Sequence, residues 1–222
     1  MSAGAVVLMC GSAIAQPINF TAPGFRGVNP NAEYAGFESF SVPFGGPNFP
    51  DDPNQNGIPA TLTQNTAIDF SMPPGISISG VGNLYSGFQN MNMSLADTAA
   101  GDVQTVILQI RTLGTELFYP GIGLSYAGPG GMQTVMPDVS RQLSAVPGPF
   151  IFGNPTVNVE WKFKWDLSGN ADFINQYSIN MTHFAPHLSI DRIELDTLAT
   201  PTPGSAAVIA VAGIAAGARR RR

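Results

Sequence analysis

Between Gln16 and Thr200 the chain holds no apolar period of 3.6 residues long enough to make a helix face. Short apolar or alternating runs recur instead, cut by Gly, Pro, Asn and Asp. The clearest is Val157–Asp166. Val157, Val159, Trp161, Phe163 and Trp165 alternate there with Asn158, Glu160, Lys162 and Lys164. A period of two predicts an antiparallel strand with one face on a core and the other toward water. Gly and Pro, 25 and 19 in 222 residues, supply the breaks.

The other expected strands are Ala35–Ser41, Ala67–Phe70, Ile76–Gly80, Asn90–Leu95, Thr105–Leu113, Ile122–Ala127, Tyr177–Thr182 and His187–Asp196. In the last, Leu188, Ile190, Arg192 and Glu194 share one face, with Asp191, Ile193 and Leu195 on the other, so neither face is cleanly apolar. Phe44–Ala60 and Gly128–Met132 read as loops. A short helix fits Met136–Ser144, and a single turn fits Asp172–Gln176. About nine short strands in one domain predict an all-β, antiparallel jelly-roll β-sandwich. A chain of this length buries a core without disulfide staples. The charged fraction of 11% and hydrophobic fraction of 44% do not fit a disordered chain.

Charge is distributed unevenly. There are 10 Lys and Arg against 15 Asp and Glu, and four of the ten cations are Arg219, Arg220, Arg221 and Arg222. The remainder is an acidic body with no basic patch, which excludes a nucleic-acid partner.

The two ends read as addresses. Residues 1–15 carry an apolar stretch from Ala3 to Cys10 and finish in Ala13-Ile14-Ala15, a small-x-small pattern before a signal-peptidase cut. That segment is expected to be a helical signal peptide without the usual basic start. Cys10, the one cysteine, would leave with it. Residues 16–199 form the β-sandwich domain. Residues 200–222 hold Thr200-Pro201-Thr202-Pro203-Gly204, then the uncharged Ser205–Ala218, then the arginines. As a helix, Ser205–Ala218 would reach about 21 Å, a short transmembrane segment. Arg clusters stay on the cytoplasmic side.

Pro201, Pro203, Gly204, a hydrophobic helix and an Arg tail, in that order, resemble a PEP-CTERM-type sorting signal in its planctomycete-like Pro-x-Pro-Gly variant. Thr stands where the family's acidic residue does. The resemblance implies an exosortase-type transpeptidase as processing partner, cleavage near Pro203-Gly204, transient membrane anchoring and delivery to the cell surface. Gly36-Phe37-Glu38 and Leu188–Leu195 are similar to the first and last strands of galactose-binding-domain-like jelly rolls, many of them carbohydrate-binding modules. That resemblance implies that the two strands are neighbours and that a carboxylate from each, Glu38 and Asp191, helps hold a structural calcium. The alternative is that both are solvent-facing strand residues.

Other constellations are weaker. Asp52, Asn54, Asn56 and Gly57 have the alternation of a calcium loop, but Ala60 and Thr63 stand where its later ligands belong. The same residue types make ordinary turns. His183 and His187, interrupted by Pro186, have no evident third zinc ligand. No nucleophile motif or phosphate loop is present. Tyr85, Phe88, Phe118, Tyr119 and Tyr126 lie near turns, where rings could stack on sugars. Trp161 and Trp165 read as core. The expectation is a non-catalytic, exported surface or matrix protein that binds polysaccharide, with a structural calcium. The alternative is a secreted carbohydrate or ester hydrolase on the same scaffold.

Overall fold

The computed structural model describes residues 19–54, 58–67, 75–148 and 155–200. The expected signal peptide and the sorting tail, with Pro201, Pro203, Gly204 and Arg219 to Arg222, lie outside the described residues, as does Asn56. Among the described residues no helix is long and apolar enough to cross a membrane.

The described strands are β1 (Ala32–Phe37), β2 (Pro47–Asn48), β3 (Asp52–Asn54), β4 (Thr61–Gln64), β5 (Ile76–Ile78), β6 (Leu84–Ser86) and β7 (Met91–Thr98). They continue as β8 (Asp102–Gly114), β9 (Ile122–Gly128), β10 (Gly131–Val135), β11 (Val139–Pro147), β12 (Val157–Asp166), β13 (Gln176–Phe184) and β14 (Leu188–Thr200). A 3-10 turn at Tyr119–Gly121 is the one helical element among the described residues. The expected helix at Met136–Ser144 is instead largely β11, and Asp172–Asn175 forms no helical turn. Pro137 and Pro147 bracket the segment, and Val139 to Val146 pair with β12, so tertiary pairing overrides local preference.

The strands form two antiparallel sheets. One runs β11-β12-β8-β14-β1-β3, with β6 also on β14 and β5 on β6. The other runs β10-β9-β13-β7-β4-β2. β1 and β14, the first and last described strands, are paired neighbours, with Gly36 opposite Glu194 and Phe37 opposite Ile193. The inner faces meet in one buried cluster that includes Phe37, Leu108, Phe163 and Trp165 from the first sheet and Leu62, Met93, Leu124 and Ile179 from the second. The Trp165 indole N–H donates to the Val135 carbonyl of the opposite sheet at 3.2 Å. Along β12 the rings of Trp161, Phe163 and Trp165 follow one another at 5.9 and 6.5 Å. Each fully buried large side chain contributes roughly 1.5–3 kcal/mol.

β14 shows why its sequence looked mixed. Its pairing with β8 shifts between Ile190 and Arg192. Asp191 is the extra residue of a bulge, and it inverts the alternation. Leu188, Ile190, Ile193 and Leu195 therefore all face the core, at 0–1% exposure. Arg192, Glu194 and Asp196 turn to the other side.

That outer side is closed by the segment Asn19–Asn31. The backbone N–H of Asn19 donates to Glu160 of β12 at 3.0 Å, and that of Thr21 to Gln109 of β8 at 2.9 Å. Turns at Pro23–Asn29 then deliver Arg26 onto β14. Its guanidinium takes both oxygens of Asp196, at 2.5 and 2.6 Å, and Glu194 at 2.7 Å. It also lies 3.9 Å from the centre of the Tyr34 ring, a cation–π contact. Under this strap Gln109 and Asp196 are fully buried. Burial works against the Arg26 charge, but the hydrogen bonds to Asp196 and Glu194 outweigh it and raise the Arg26 pKa.

Candidate functional site

Since the strap covers the outer side of the first sheet, exposed rings are found elsewhere. Three connections converge at one end: residues 87–90, 115–121 and 185–187. His187 ties them together. Its N–H donates to the Ser86 and Gly87 carbonyls at 2.8 and 2.9 Å. Its own carbonyl accepts from the Thr115 N–H at 3.1 Å, and the Thr115 hydroxyl donates to the Pro186 carbonyl at 2.7 Å. His187 has a φ of 63°, a left-handed conformation that His adopts more readily than most side chains.

The rings at this end follow from that frame. Phe88 meets His187 edge-on at 5.0 Å. The Tyr85 hydroxyl lies 3.5 Å from His187 Nδ1. Tyr119 stacks on Trp161 at 4.7 Å. Phe88, Phe118 and Tyr119 remain 44–49% exposed, an incomplete burial that leaves ring faces for a ligand. The Trp161 indole nitrogen and the Thr112 hydroxyl are buried without a partner. The only Asp, Glu, Lys, Arg or His on the three connections are Glu116 and His187. The end is aromatic and carries few charged residues. Tyr126 does not join it. That residue is 6% exposed, and its hydroxyl meets Asn170 at 2.5 Å.

β14 starts at this aromatic end and leads away from it. At about 3.3 Å per residue an extended strand of this length spans at most about 40 Å, and Thr200 is its far end from Leu188. The chain therefore departs toward residues 201–222 from the opposite end of the fold.

Glu38 and Asp191 sit near the β1–β14 pair, and each meets an arginine. Glu38 is 2.5 Å from Arg192 and Asp191 is 3.2 Å from Arg111. Among the described residues no group of three or more His, Cys, Asp or Glu is placed to hold a metal ion. A calcium there would have to displace two guanidinium groups, so this donor set does not fit the ion. Asp52 and Asn54 lie on β3, extended and paired with β1, and residues 55–57 of that candidate loop lie outside the described residues.

A cleft of about 420 Å³ near the tail end is lined by Val135, Met136, Asp138, Trp165, Asp166, Leu167 and Asn170. Its carboxylates serve turns. Asp138 accepts from the Asp166 N–H at 2.6 Å, and Asp166 accepts from the Ser168 hydroxyl at 2.6 Å. The hydroxyl and the N–H of Ser168, both bonded to Asp166, hold the Asp166 pKa below the ordinary value.

A second acidic pair lies between the sheets. Asp97 accepts from the Tyr177 and Thr197 hydroxyls at 2.9 and 3.0 Å. Glu33 accepts from the Ala100 N–H at 3.2 Å, and its other oxygen has no partner. Burial raises both carboxyl pKa values, and the Asp97 charge raises that of Glu33 further. A raised folded-state pKa stabilises the fold below the ordinary carboxylate range, and this contribution is lost as pH rises through the raised value. Denaturant titrations of the wild type and Glu33→Gln between about pH 4 and pH 8 check this. The wild type should lose stability relative to the variant as pH rises, and parallel curves would show that Glu33 does not titrate in that range.

Compared with protein-family models, curated proteins and solved structures, the chain finds no match.

Proposed function

We propose that this protein is an exported, non-catalytic surface or matrix protein with a galactose-binding-domain-like jelly-roll body. In this reading its aromatic end binds polysaccharide. Signal peptidase removes residues 1–15, and an exosortase-type transpeptidase recognises Pro201, Pro203 and Gly204 ahead of the Arg tail. The observation that carries the reading is the gathering of Tyr85, Phe88, Phe118, Tyr119 and His187 at the end away from Thr200. A body attached through residues 201–222 would hold these rings away from the membrane. Uncharged ring faces suit the C–H faces of neutral sugars. The neighbouring pairing of β1 and β14 supports the jelly-roll resemblance. No calcium step is assigned, because Glu38 and Asp191 are matched to arginines.

The strap and every described strand lie between Asn19 and Thr200, so a chain of residues 16–200 holds the complete core. Affinity electrophoresis of that chain through gels containing neutral glucan, xylan or galactan tests the reading. At least one polysaccharide should retard it, and Phe88→Ala and Tyr119→Ala should each weaken retention about five- to tenfold, in line with the loss of one aromatic contact. Unretarded migration in all three, or retention unchanged in both variants, would overturn the assignment.

A further inference from the structure

Among the described residues the two sheets end in five edge strands: β11, β3 and β5 in one, β10 and β2 in the other. Unpaired edges invite strands from other chains, and proteins block them with proline, charge, bulges or shortness. Four of these five are blocked. β5 is only three residues long, Ile76–Ile78. β2 is two residues beginning with Pro47, and β3 is Asp52-Pro53-Asn54. β11 carries Arg141, ends in Pro147, and its pairing shifts between Gln142 and Ser144.

β10 has none of these devices. It reads Gly131-Met132-Gln133-Thr134-Val135, without charge or proline, and its first four residues are exposed. Met132 is 72% exposed, and Met136 and Val139 beyond it are 56% and 45% exposed. The whole β10 sheet shares this neutrality. The only Asp, Glu, Lys or Arg on β2, β4, β7, β9, β10 and β13 is Asp97, which is 4% exposed and accepts a hydrogen bond from Thr197 of the other sheet. In a body with an excess of acids, this sheet can meet its own copy without bringing like charges opposite each other.

We infer that β10 is the contact strand of a homodimer, pairing antiparallel with β10 of a second copy about a two-fold axis so that their sheets become continuous. The row of unpaired N–H and C=O groups calls for another strand. Neutrality makes the strand self-complementary, and the partner copy also covers Met132. Because β2 at the far edge of the same sheet is blocked, the contact is isologous and the assembly closes at two. Met132 and Thr134 lie opposite Ala127 and Ser125, on the outer side of the sheet, where a lysine is accommodated without entering the core.

Sedimentation equilibrium of residues 16–200 tests this. The expected mass rises with protein concentration toward twice the monomer value and no further. Met132→Lys/Thr134→Lys should stay monomeric at concentrations where the wild type is dimeric, and should melt with the wild type at dilutions where both are monomeric. Hydrogen exchange of the unmodified chain supplies a reading independent of the variant: amides of Met132–Val135 should gain protection as concentration rises, while those of β2 and β3 should not. A monomer throughout, a dimer that survives both lysines, growth beyond two, or protection gained at β2 or β3 instead would each overturn the assignment.

Discussion

Arg26→Ala should destabilise the fold by about 2–4 kcal/mol, an effect of the kind seen when a buried ion pair loses one partner. The Asp196 carboxyl is fully buried and Glu194 nearly so. Removing the guanidinium would break three charge-assisted bonds, strand the Asp196 carboxylate and leave Glu194 held by Arg192 alone. The strap would lose its principal anchor on β14 in the same step, exposing Gln109. Arg26→Lys should recover only part of the loss, since an ammonium cannot span both Asp196 oxygens while covering Tyr34. Urea unfolding of residues 16–200 measures both variants. A loss below about 0.5 kcal/mol for Arg26→Ala would show that the strap is not coupled to the sheet.

Gly114→Ala should cost about 2–4 kcal/mol and weaken polysaccharide retention together with stability. Gly114 closes β8 at a φ of 104°, where a side chain is strained, and an added Cβ would lie 2.0 Å from the His187 carbonyl oxygen. That oxygen accepts the Thr115 N–H, the bond that fastens the connection carrying Phe118 and Tyr119 to the His187 turn. Thermal unfolding reads the stability, and affinity electrophoresis reads the site. A variant as stable as the wild type would show that the two connections separate freely.

Legibility in the sequence followed the range of the interactions involved. Val157–Asp166 was recognisable with its full boundaries because a period of two over ten residues is a local property. Trp161 and Trp165 are core residues for the same reason. β2, β3, β4, β6 and β10 are two to five residues long, too short to show a period, and only their neighbours make them strands. The mixed pattern of β14 concealed a clean core face because nothing local marks Asp191 as a bulge. Tyr85, Phe88, Phe118 and Tyr119 could be picked out from turns, but their convergence through His187 depends on contacts about 70 to 100 residues apart in the chain.

The residues from Gln16 to Thr200 determined, by their punctuation and alternation, that this chain would be an antiparallel all-β body, acidic and free of a basic patch. Only the tertiary structure decided which carboxylates are charged partners and which are stranded. Glu38, Asp191, Glu194 and Asp196 all meet arginines, while Glu33 keeps an unpartnered oxygen between the sheets. Alternation is written into neighbouring residues. A carboxylate's surroundings come from strands brought together across the whole length of the chain.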